Sequence, residues 1–190
     1  MTSLHKKHAI RFLVLLAAFV ALAPQPGRSQ LNSNVANVVL TATLLESLTV
    51  TALPSAVAFD LAPGGEATGT PPVAITTLWI LGVTRTTVTL HANFSSSTIA
   101  LTDGLGHNIP SSAVFGQVTT GMPTSFTAFT QTGPFGAAGA NLKLFAQGVG
   151  VSNLTDTRTD NLTLKIDLTT LPSIPAGVYV GTLNIQAQAL

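Results

Sequence analysis

Thr87-Val-Thr-Leu-His-Ala-Asn-Phe94 and Asn161-Leu-Thr-Leu-Lys-Ile-Asp-Leu168 are the stretches that decide the fold class. Apolar and polar residues alternate strictly in both. Successive side chains on a β-strand point to opposite faces, so Val88, Leu90, Ala92 and Phe94 share one face, as do Leu162, Leu164, Ile166 and Leu168. Tyr179-Val-Gly-Thr-Leu-Asn-Ile-Gln-Ala-Gln-Ala-Leu190 repeats the pattern, with Leu183, Ile185, Ala187 and Ala189 against Thr182, Asn184, Gln186 and Gln188. Further strands are expected at Val38 to Leu44, Leu48 to Leu53, Val57 to Leu61, Val73 to Leu81, Thr98 to Thr102, Phe126 to Gln131 and Asn141 to Ala146. Helix-period stretches are absent. Short strands punctuated by Ala62-Pro-Gly-Gly65, Thr70-Pro-Pro72 and Gly133-Pro-Phe-Gly136 predict an antiparallel all-β sandwich of immunoglobulin-like type rather than βαβ units. One domain over residues 38–190 is the economical reading, since no long linker divides the chain.

The first residues carry a different signal. Met1 to Arg11 is basic and lacks acidic residues, and Phe12 to Ala23 is an apolar run of 12 residues. That is a secretory signal peptide: the run suits export but is shorter than the roughly 20 residues that span a bilayer. Proline after Ala23 disfavours cleavage there, whereas Gly27-Arg-Ser29 before Gln30 supplies small residues where they are wanted, so residues 1–29 are assigned to the cleaved peptide. Periplasm, cell surface or medium is then the destination, with no transmembrane anchor after cleavage. Residues 30–37 form a polar, mobile lead into the Val38 strand, whose Val38, Leu40, Ala42 and Leu44 are the candidate assembly face.

Removing residues 1–29 takes four of the eight basic residues and none of the seven acidic ones, and the net charge falls from +1 to −3. A chain with only Arg85, Lys143, Arg158 and Lys165 as cations lacks the basic surface that a phosphate backbone requires, so nucleic acid is not an expected partner. Cysteine is absent, which excludes disulfides and thiolate chemistry. Burial alone must hold the fold, and at roughly 160 residues about two thirds of the unfolded surface can be buried.

Nothing in the sequence assembles a catalytic, cofactor or metal site. His5 and His8 belong to the exported leader. His91 lies on the Thr-lined face of its strand and reads as a solvated surface residue. His107 sits in Asp103-Gly-Leu-Gly-His-Asn108, which has hairpin chemistry, and Asp103 with Asn108 offers too few oxygens for calcium. No Gly-x-Ser-x-Gly elbow exists, and Glu46 and Glu66 are the sole glutamates, so neither a serine triad nor a glycosidase pair is supported. Asp156, Arg158 and Asp160 read as a solvated cluster around a turn, and Trp79 as a core aromatic.

Leu171-Pro-Ser-Ile-Pro-Ala-Gly-Val-Tyr-Val-Gly-Thr-Leu-Asn-Ile185 and Leu40-Thr-Ala-Thr-Leu-Leu-Glu-Ser-Leu-Thr-Val50 resemble the two ends of secreted bacterial fimbrial-like and spore-coat-U-like β-sandwiches. The resemblance implies a subunit of a surface fibre assembled by strand exchange. Composition agrees with that expectation: 8% of residues are charged against about 25% in ordinary soluble domains, which leaves sheet edges without electrostatic protection. The chain is therefore expected to be a non-enzymatic structural or adhesin-like protein whose partners are copies of itself or other surface proteins. The alternative is a standalone binding module that recognises a glycan or a protein through a loop tip built from Phe126, Phe129 and Phe135.

Overall fold

The computed structural model describes residues 31–171 and 173–190, so the expected signal peptide lies outside the described residues. The chain divides into two units, residues 1–42 and 43–190. In the first, residues 31–42 carry no secondary structure and are exposed throughout.

The second unit is an antiparallel all-β sandwich. Its strands are β1 (Ser47–Leu53), β2 (Glu66–Thr68), β3 (Val73–Ile80), β4 (Thr87–Asn93), β5 (Leu101–Thr102), β6 (Asn108–Ile109), β7 (Val114–Val118), β8 (Thr127–Ala128), β9 (Asn141–Gly148), β10 (Thr155–Asp167) and β11 (Asn184–Ala189). One sheet has the order β1-β3-β10-β7-β8, with β2 pairing the C-terminal end of β10; the other has the order β11-β4-β9; β5 and β6 form a small hairpin. A short 3-10 turn, Ser111–Ala113, leads into β7.

The alternation read from the sequence sets what is buried. Val88, Leu90, Ala92 and Phe94 are 4% exposed or less, and Leu162, Leu164, Ile166 and Leu168 interdigitate with them in one core. Trp79 is fully buried and its indole N–H donates to the Asn153 carbonyl at 2.9 Å, which satisfies the one polar atom that burial would orphan. β7 was not expected, because Val114-Phe-Gly-Gln-Val118 carries a glycine at its centre. A Cβ at Gly116 would lie 2.6 Å from Leu142 Cδ2 and 3.1 Å from Leu162 Cδ1, so the glycine lets the two sheets approach.

Several expectations are corrected. Val38 to Leu44 forms no strand and pairs with none of the strands among the described residues. Val57 to Leu61 makes a single bridge, Ala58 to Thr70, rather than a strand. Asp156, Arg158 and Asp160 do not flank a turn but sit within β10, which begins at Thr155. Asp160 is 1% exposed there, and Arg158 closes on it with Nε 2.7 Å from Oδ2 and Nη2 2.9 Å from Oδ1, while the Thr120 hydroxyl donates to Oδ1. The Arg158 guanidinium also lies 4.6 Å from the centre of the Phe145 ring. A carboxylate can point inward on a strand when it is paired this completely.

Candidate assembly site

β1 and β11 are the outermost strands on one margin of the sandwich, and among the described residues each pairs on one side only, with β3 and β4 respectively. At one end of this margin a clamp ties them together. Glu46 Oε1 accepts from the Gly82 amide at 2.6 Å, Arg85 Nη2 donates to Glu46 Oε2 at 2.8 Å, and Arg85 Nη1 donates to the Ala189 carbonyl at 3.3 Å. The Arg85 hydrogen bond, aided by the Gly82 amide, lowers the Glu46 pKa to about 2.

Away from the clamp the margin opens. A cleft of about 870 Å³ begins at Ala52 and Ile185; residues 54–63 and 174–183 form its walls, and Phe94, Ile109, Val114, Leu164 and Ile166 reach it from the core. These walls are not regular strands, although Val180 bridges to Thr102. Among the described residues, Asp60 is the sole charged one in the lining. The cleft is therefore an apolar gap that reaches from the margin to the core of the sandwich.

Preceding the clamp is the segment expected to assemble. Val38, Leu40 and Leu44 are 80%, 89% and 84% exposed, and Ala42 beside them is exposed too. Residues 31–45 contain no charged side chain. Each large aliphatic side chain left in water forgoes about 1.5–3 kcal/mol.

The three phenylalanines of the loop reading take separate roles. Phe129 is fully buried and packs edge-on against Phe94 at 5.1 Å between ring centres, so it is unavailable to a ligand. Phe126 lies beside Lys165, whose Nζ is 5.6 Å from its ring centre and 5.2 Å from that of Phe115. Phe135 packs edge-on against His91. His91 itself is buried at 7% exposure rather than solvated, because Phe135 packs on its face of the strand and its Nδ1 lies 2.9 Å from Asn141 Oδ1. His107 is in the β5–β6 hairpin loop as expected: Nδ1 lies 2.6 Å from Asp103 Oδ2, and Gly104 and Gly106 take the positive φ angles of 76° and 106° that the reversal needs.

No family model matches the chain, and neither a curated protein nor a solved structure matches it. The cleft was not legible in the sequence. Its nearest signal is the broken rhythm of residues 54–63 and 174–183, where Pro54, Pro63 and Pro175 interrupt the alternation.

Proposed function

We propose that this chain is an exported, non-enzymatic structural protein, a subunit of a surface fibre or coat, that self-associates through its residue 38–44 segment. The observation that carries the reading is that Val38, Leu40 and Leu44 alternate like a strand yet stand exposed without one. Three such side chains contribute roughly 5–9 kcal/mol when buried. Association costs about 4–15 kcal/mol, so side-chain burial alone is marginal and a backbone ladder to an unpaired edge must add to it. The one-sided pairing of β1 and β11 supplies such edges. A surface with few charges supports the same reading.

Light scattering on the exported form, beside a Val38→Asp/Leu40→Asp/Leu44→Asp variant, tests this. The native chain is expected to give oligomers that grow with concentration and the variant a folded monomer. A native chain that stays monomeric at high concentration would remove the proposal.

A further inference from the structure

The two walls of the cleft are each fastened to a neighbour of their own. Val57 and Phe59 of the first wall rest on Gly69, where an added Cβ would stand 2.5 Å and 2.7 Å from their side chains, and the Ala58–Thr70 bridge ties the same wall to the residues that follow β2. The second wall is seated beside β5: Val180 bridges to Thr102, and a Cβ at Gly181 would run into the Ala100 carbonyl. Among the described residues, no backbone hydrogen bond joins residues 54–63 to residues 174–183. The gap is thus built into the fold and is not zipped shut.

Protein interiors hold few voids larger than a water molecule, and an apolar cavity that persists stays dry and takes apolar guests. At about 870 Å³ the cleft falls within the range of roughly 300–1,000 Å³ that small-molecule sites occupy. Val57, Phe59, Leu61, Leu183 and Ile185 line it and are only partly buried. In both walls the apolar residues recur at every second position, so the lining is a strip, and a strip covers an extended chain along its length. Charge selects the head of that chain. Asp60 is exposed in the lining, which contains no lysine or arginine among the described residues. Burial and then the nearby Asp103 carboxylate push the pKa of the Tyr179 phenol, another lining group, upward. An anionic head would therefore meet carboxylates and find no counter-charge.

We propose that the cleft binds an amphiphile made of one long hydrocarbon chain and a cationic head, the chain lying along the apolar strip and the head beside Asp60. This goes beyond the self-association proposed above and does not depend on it.

Calorimetric titration of the full exported chain with decyltrimethylammonium and with decanoate, each below its micelle-forming concentration, tests the assignment. The ammonium is expected to bind at a single site, about fourfold more tightly for each methylene added from the octyl to the decyl member. It is also expected to bind roughly threefold more tightly than the carboxylate, the modest preference that an exposed charge supplies. Asp60→Lys is expected to reverse that preference with the circular dichroism unchanged, and Leu183→Trp to fill the cleft and abolish binding of both probes. Should Leu183→Trp fail to fold, Asp60→Lys decides. A native chain that binds neither probe would overturn the proposal, and so would native affinity in a folded Leu183→Trp variant or an order of affinities that Asp60→Lys leaves untouched. Binding by the Val38→Asp/Leu40→Asp/Leu44→Asp variant but not by the native chain would mean that the chain's own segment holds the cleft, and would also overturn it. Light scattering reads self-association separately, so either reading can fail while the other stands.

Discussion

The two flanks of β3 contrast. On one side β10 is paired on both its edges, by β3 and then β2 on one and by β7 on the other, and its inward leucines and isoleucine are at most 7% exposed. On the other, β1 is the last strand of its sheet, and Leu48, Val50 and Ala52 are only partly buried, as are Ile185, Ala187 and Ala189 on β11. The alternating pattern is equally good in both places. What differs is whether a neighbour completes the ladder and covers the face, so hydrophobic periodicity predicts which residues want burial and not whether they obtain it.

Paired truncations put that contrast on a free-energy scale. Leu162→Ala empties a site with no exposure and is expected to cost about 2–5 kcal/mol in urea unfolding, whereas Leu183→Ala at the cleft wall should cost well under half of that. Equal costs would mean that the cleft wall is as tightly packed as the centre. Arg158→Ala comes next. It strands the buried Asp160 with the Thr120 hydroxyl as its remaining side-chain partner and removes the contact with Phe145, and a loss of about 3 kcal/mol is expected by thermal or urea melting. A loss under 1 kcal/mol would show the ion pair to be incidental. The smallest effect belongs to the clamp. Because Glu46 has its pKa lowered to about 2, its contribution is complete above its ordinary value of 4.5 and is lost as pH falls through about 2. The pair is about 40% exposed on both partners and is screened by salt, so Glu46→Gln should flatten a shallow acid limb of the stability profile rather than shift the whole curve. An unchanged acid limb would place the titrating group elsewhere.

Much of the sandwich was legible because local alternation and the core agree. The strands around Leu90 and Leu164 emerged with the expected faces inward, and Asp103-Gly-Leu-Gly-His107 formed the hairpin loop that its turn residues specify. β7 escaped because the reason for Gly116 lies on β9 and β10, far along the chain. The first half of β10 escaped because inward Asp156, Arg158 and Asp160 imitate a solvated turn until Arg158 is seen closing on Asp160.

From the sequence alone come the all-β class, the alternation that selects the core, the absence of thiol chemistry and the apolar character of residues 38–44. Each is a property of residue type and spacing, which is local. Tertiary structure alone decided that residues 38–44 are left without a ladder, that β1 and β11 are tied at one end and parted at the other, and that His91 and Asp160 lie inside. Those outcomes depend on which distant strand arrives as a neighbour, and no local pattern encodes that arrival.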